Sequence, residues 1–295
     1  MATEVLRTSR PEAPPRAGGG GAPAVPELVI EPAGDAALEV RDLWQYRSLL
    51  YFLIWRDLRV RYTQTVLGVG WAVLQPLLSG VMLTLVFGRL VGVPSDGIPY
   101  AVFVLAAIVP WTFVSGAFST ASASLLNNTH LISKVYFPRL VIPFAPVGAA
   151  LVDLAIGLAL VAGAALVYHV TPTWLALVVV PASMLVFALT AAGAGCWVAA
   201  LSVQFRDVKH LLPLITTLWL YASPVVYPIS RVPHAWRPVY ALNPLAGTLE
   251  GFRAVIVGRV PDWALWGESS LAAVILFVSG ALYFRRAERF FADIV

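Results

Sequence analysis

The side chains able to do acid, base or metal chemistry are few in this sequence, and they stand apart. Asp96, Glu250, Asp262 and Glu268 are carboxylates on or beside apolar runs, but they are scattered, and no close pair suggests general acid/base work. No stretch reads GxxxxGK followed by Ser or Thr, so the chain has no phosphate-cradling loop and is not expected to hydrolyse ATP itself. The single cysteine, Cys196, has no disulfide partner within the chain. No residue is assigned as catalytic or as a metal ligand.

Charge is concentrated in one place. In WRDLRVRYTQTVLGVGWAVLQP, residues 55–76, three arginines and an aspartate occupy positions 56–61, and no further charge follows until Arg89. On a helical wheel of 41–62, Trp44, Tyr51, Trp55, Leu58 and Tyr62 share a charge-free sector. Arg41, Arg56 and Arg59 gather beside it, with Asp57 and Arg61 opposite. An aromatic face flanked by arginines suits a helix lying in the membrane interface, rings at the headgroups and guanidinium groups toward anionic lipid. Residues 63–70 would then turn the chain into its first crossing, Gly68 and Gly70 allowing close packing at the bend. A basic anchor before the first span is the plainer reading of the same pattern.

The elements around this corner follow from composition. Hydrophobic residues are 59% and charged residues 12% of the chain, with mean hydropathy +0.79, which is the balance of an integral membrane protein. Apolar runs of about 20 residues predict six transmembrane helices at about 66–87, 100–126, 140–168, 174–203, 211–227 and 266–284. Excluding residues 1–39, twelve lysines and arginines fall on one side of this topology and five on the other, which predicts both termini in the cytoplasm. The fifth run has Pro213 and Pro224 inside it, and a re-entrant segment is the alternative there. Residues 1–39, rich in Pro and Gly, read as a disordered cytoplasmic tail. They lack the basic start and apolar core of a secretory signal. The formal charge of +4 lies mainly in short loops without a basic stripe, so nucleic acid is not an expected partner.

Asp153 falls near the middle of the third span, where a carboxylate is costly and is a functional candidate by default. A structural aspartate, hydrogen-bonded by hydroxyls such as Thr190 or Ser183, is the preferred reading, because no basic partner or second acid stands at membrane depth. Trp71, Trp111, Phe118, Trp219 and Tyr221 recur within the spans. Aromatic faces can stack on the C–H faces of sugars, although packing and interface anchoring account for most such residues. After the second span, Asn128 or Thr129 can cap a short helix with Leu131, Ile132 and Val135 on one side and Lys134 on another. Such a helix fits a partner's groove, or is an ordinary connector. Between the fourth and fifth spans, Arg206, Asp207 and Lys209 form a charged turn. The long 228–262 segment is punctuated by prolines and leaves room for short helices such as 245–257. Tyr227, Tyr240, Asn243, Glu250 and Arg253 are candidates there for an external gate, or for a simple external cap.

The stretches LIWRDLRVRYTQTVLGVGWAVLQPL, NNTHLISKVYFPRLVIP, SVQFRDVKHLLPL and LNPLAGTLEGFR, in that order over about residues 41–290, resemble the channel-forming permease subunit of ABC-2-type bacterial polysaccharide exporters, the family that exports O-antigen, teichoic acid and capsule. The resemblance implies an ABC-2 type transmembrane domain over 40–295 in the inner membrane. It implies an amphipathic interface helix at 41–62 with Trp44, Tyr51, Trp55, Arg56, Arg59, Arg61 and Tyr62, and external gate helices at 228–262. It also implies ATPase contacts at Asn128, Thr129, Leu131, Ile132, Lys134, Val135, Tyr136, Arg206, Asp207 and Lys209. The implied partners are two copies of an ABC ATPase subunit, which would use the ATP and Mg, a second copy of this chain as a homodimer, and a lipid-linked polysaccharide. An exporter of a drug or simple lipid, or a membrane glycosyltransferase, are the alternatives.

Overall fold

In a lipid core the backbone can satisfy its polar groups only internally, so long apolar runs become helices. The structure, a computed structural model, describes residues 44–63, 67–134, 137–205 and 207–294, and the expected tail at 1–39 lies outside them. Every regular element among the described residues is helical. In chain order these are α1 (Arg47–Tyr62), α2 (Gly70–Leu83, continued by a π-helical stretch Thr84–Leu90), α3 (Tyr100–Asn127), α4 (Thr129–Lys134) and α5 (Val141–Val167). After them come α6 (Ala176–Gln204), α7 (Val208–Tyr221), two 3-10 turns, α8 (Arg237–Ala241), α9 (Ala246–Ile256) and α10 (Trp263–Ile294).

Five of these are long and apolar enough to cross a membrane: α2 with its extension, α3, α5, α6 and α10. The expected fifth span differs. Helix α7 has 14 residues, about 21 Å at 1.5 Å per residue, which is short of a hydrocarbon core of about 30 Å. It ends because the residue before Pro224 is disfavoured in helical geometry. The chain nevertheless continues along α3: Trp219 packs edge-on against Trp111 and Phe118, and the Tyr100 hydroxyl at the start of α3 donates to the Val226 carbonyl at 2.8 Å. Ser223, Val225 and Val226 are buried. Irregular backbone within a helical bundle is tolerable where protein covers it, as here.

Helix α3 is the centre of the bundle, buried along most of its length, whereas α2 is largely exposed. Helices α6 and α10 approach most closely through glycine. A Cβ on Gly280 would lie 2.2 Å from the Gly193 carbonyl oxygen, and one on Gly193 would lie 2.6 Å from the Phe277 backbone. Overpacking of this kind costs about 1–3 kcal/mol, so Gly280→Ala is expected to lower the thermal unfolding midpoint of the solubilised protein by several degrees, roughly 2–4 °C per kcal/mol. A midpoint equal to wild type would contradict this packing.

Helix α1 occupies Arg47–Tyr62 of the expected 41–62 stretch, and it packs on the bundle through contacts the aromatic pattern did not announce. Leu53 packs with Val141 and Ala145, Ile54 occupies the space a Cβ on Gly148 would need, and Arg61 and Tyr62 reach Asp153. These contacts advance in the same direction on both helices, so α1 runs lengthwise along the first half of α5. The reason lies in a stripe at helical spacing, Tyr46, Leu49, Leu50 and Leu53, which the aromatic pattern masked. Trp44, Tyr51 and Trp55 remain on the exposed side. At the bend, Gly68 has φ +51°, a conformation that favours glycine. Among the described residues nothing lies within 4 Å of a Cβ on Gly68, and a Cβ on Gly70 would make only ordinary contact with Leu67, looser packing than expected.

Candidate functional site

Two constellations of polar side chains stand out, one on either half of the bundle. The first is built on Asp153. The end of α1 brings Arg61 and Tyr62 against the middle of α5, where the Arg61 guanidinium donates to one carboxylate oxygen of Asp153 and the Tyr62 hydroxyl donates to the other. The hydroxyls expected to hold Asp153 are engaged elsewhere: Thr190 donates to the Val186 carbonyl, and Ser183 accepts from the Trp266 indole. The expectation that Asp153 has no basic partner is therefore overturned. The missed signal was Arg61, which the wheel had placed away from the aromatic sector.

This cluster forms one wall of a cleft of about 380 Å³ between α2, α3 and α5, which also takes in Trp71, Gln75, Thr112 and Thr120. Trp71 is half exposed. Arg56 is turned to its neighbour Asp57, and Arg59 is exposed.

The second constellation joins the irregular 222–227 segment to the following helices. Asn243 accepts from the Trp219 indole at 3.1 Å and donates to the Ala222 carbonyl and the Ser223 hydroxyl. The Tyr227 and Tyr240 hydroxyls meet at 2.8 Å, with Tyr227 also bonded to the Tyr221 carbonyl. Burial first, and then the bond to Tyr227, push the Tyr240 phenol above its ordinary pKa. Arg253, 1% exposed, donates to the Pro224 carbonyl at 2.6 Å, pairs with Glu250 at 3.1 Å and lies 3.8 Å over the Phe103 ring. Burial pulls the Arg253 guanidinium below its ordinary value, opposed by Glu250, yet a guanidinium remains charged in proteins. Five gate candidates, Tyr227, Tyr240, Asn243, Glu250 and Arg253, thus share this network with Trp219. Leu249 and Phe252 are fully buried and Ile256 nearly so, which places α9 inside the bundle and excludes a cap resting on its surface.

Other candidates are corrected. Trp111 and Phe118 are buried within the chain around Trp219, so they do not line a surface of it; Tyr221 is exposed. Asn128 does not cap α4 with its side chain, which donates backward to the Ser124 carbonyl. Leu131 turns inward, packing against Leu53 and Phe137 neighbourhoods. Ile132 and Lys134 are described in backbone only, as the last turn of α4, and Val135, Tyr136 and Arg206 lie outside the described residues. Asp207 and Lys209 are exposed at the start of α7. A tie not foreseen joins the start of α5 to α10, where Arg139 donates to the Glu288 carbonyl at 3.2 Å and sits 3.8 Å from its carboxylate. Among the described residues no group of three His, Cys, Asp or Glu side chains could hold a metal.

Residues 48–257, from α1 through α9 and so including both constellations, match the family described as ABC-2 type transporter. The chain belongs to the ABC-2 transporter family. Over 255 residues it is 30% identical to the O-antigen export system permease protein RfbA of Myxococcus xanthus, covering 85% of this chain and 97% of that one. It is 25% identical to the protein of that name from Klebsiella pneumoniae, over 84% of this chain and 95% of the relative. The polysialic acid transport protein KpsM of Escherichia coli is 24% identical over 80% of this chain and 92% of its own length. As an ABC-2 transporter the chain is a multi-pass membrane transport protein. Helix α10 lies beyond the matched ABC-2 region, yet it packs on both α6 and α9.

Proposed function

We propose that this chain is the membrane subunit of an ATP-driven exporter that moves a lipid-linked polysaccharide across the inner membrane. The observation that carries the reading is its alignment with O-antigen and polysialic acid export proteins over 92–97% of their lengths. Two copies of the chain form the conduit, and two copies of a separate ABC ATPase subunit use the ATP and Mg. The chain crosses six times with both termini in the cytoplasm. The fifth crossing is a hybrid, α7 on the cytoplasmic side and the 222–227 segment on the outer side. This accords with the way Trp219 and Val226 climb along α3.

In this account α4 and the 204–210 turn receive the ATPase, since both sit where a span ends and the next begins. The motion passes to α1, which contacts Leu131 of α4 through Leu53 and its neighbours. The Arg61–Asp153–Tyr62 cluster then fixes the end of α1 to α5 next to the bend into α2. The Tyr227–Tyr240 and Asn243 network closes the outer end, and exposed Trp71 and Tyr221 offer aromatic faces to the glycan.

The test is a charge reversal at the end of α4. Lys134→Glu, co-expressed with the ATPase, is expected to insert normally and to leave ATP hydrolysis in place while export to the cell surface falls roughly tenfold. Export at the wild-type level would remove α4 from the coupling path.

A further inference from the structure

We propose that the groove between the second halves of α2 and α5, floored by the start of α3, is a binding site for one chain of a phosphate-headed lipid, with Arg89 at its mouth on the headgroup. The groove encloses about 510 Å³. Its walls are Leu77, Val81, Leu85, Leu105, Leu160 and Val167. Along α2 it extends from Leu77 to Arg89, twelve residues or about 18 Å at 1.5 Å per residue. That is about one leaflet of a hydrocarbon core some 30 Å thick.

The polar groups sit where a headgroup would lie. Thr84 is turned back to the Gly80 carbonyl, which leaves Arg89 and Tyr168 at the terminal end of the groove. No carboxylate lines it, and among the described residues none pairs with Arg89. A cation at the end of an apolar slot one leaflet long is complementary to an anionic phosphate over a hydrocarbon tail. The π-helical winding of 84–90 ends at this mouth, in keeping with the frequent placement of such turns at binding sites. The cleft beside Asp153 is formed by the same three helices but shares no lining residue with the groove. The proposal concerns a phosphate-headed membrane lipid and does not depend on the exporter reading.

Gly163 allows a specific block. It lines the groove, and nothing lies within 4 Å of a Cβ placed on it, so the side chain of Gly163→Leu starts into open groove space. The experiment uses the full-length chain with its ATPase partner in nanodiscs of neutral lipid, with a photoactivatable phosphatidylglycerol and a diacylglycerol probe of the same chains. Mass spectrometry should map phosphatidylglycerol labelling to the outer parts of α2 and α5. Labelling should fall about fivefold or more in Arg89→Gln, and likewise in Gly163→Leu and with the diacylglycerol probe. Equal labelling by both probes, or labelling unchanged in both variants, would overturn the site. So would a disulfide between Val81→Cys residues of two copies at full yield, because a second chain would then cover the groove. Export is measured on the same variants: unchanged labelling with intact export sinks the groove and leaves the exporter reading standing.

Discussion

Replacing Arg253 by alanine is expected to lower the thermal unfolding midpoint of the solubilised protein by about 10 °C. The side chain is 1% exposed and holds three groups at once: the Pro224 carbonyl, Glu250 and the face of Phe103. Truncation leaves a cavity and an orphaned carbonyl, together about 3–5 kcal/mol, at roughly 2–4 °C per kcal/mol for a protein of this size. Burying a guanidinium is itself costly, and a buried ion pair can often be exchanged for apolar groups without loss. Arg253→Met therefore discriminates. It restores volume and removes the desolvation cost, but it cannot donate to Pro224, which sits in a segment with no helical partner for its carbonyl. The expected midpoint for Met lies between alanine and wild type, and Arg253→Lys also falls short because one ammonium cannot span the same fork. A methionine variant as stable as wild type would show that shape alone matters there.

Asp153→Ala is expected to cut export roughly tenfold while lowering the midpoint by only about 4–8 °C, the effect of about 2 kcal/mol. The pair is partly exposed, with Arg61 at 32% and Asp153 at 26%, so solvent screening keeps its contribution to stability modest. The larger effect is expected on export, because under the proposed function the pair joins the end of α1 to the middle of α5 at the bend that leads into α2. Asp153→Asn retains acceptors for Tyr62 but loses the charge opposite Arg61, and it should fall between. In a double-mutant cycle with Arg61→Ala, a coupling of about 1 kcal/mol or more is expected. Additive losses of export in the double mutant would mean that the two residues act separately.

Hydropathy was enough to locate five helices long and apolar enough to cross a membrane, because a lipid core leaves an apolar run of twenty residues no alternative to helix. It read the fifth run as a full span, with a re-entrant segment as the alternative because of Pro213 and Pro224, and it could not see that α3 and α9 shelter the bare backbone at Pro224 and Val226. The short helix expected at 245–257 was legible from Leu249, Phe252 and Ile256 at helical spacing, and α9 forms at Ala246–Ile256. That the same residues bury α9 was not legible, since an apolar stripe does not say what covers it. For α1, two overlapping patterns competed: the aromatic sector was conspicuous, while the Leu49, Leu50 and Leu53 stripe decided the packing. The partner of Asp153 was hidden because it lies 92 residues away and outside the spans. Asn243, named among the gate candidates, links Trp219 to the 222–223 segment, a long-range contact that no local pattern announces.

The central claim is that the chain is a conduit driven by an attached motor, and transport in sealed vesicles tests it most directly. Vesicles carrying the chain with its ATPase should translocate lipid-linked glycan only when ATP and Mg are present. Vesicles carrying the chain alone should neither hydrolyse ATP nor move glycan. Glycan movement by the chain alone, driven by a proton or sodium gradient without nucleotide, would contradict the account.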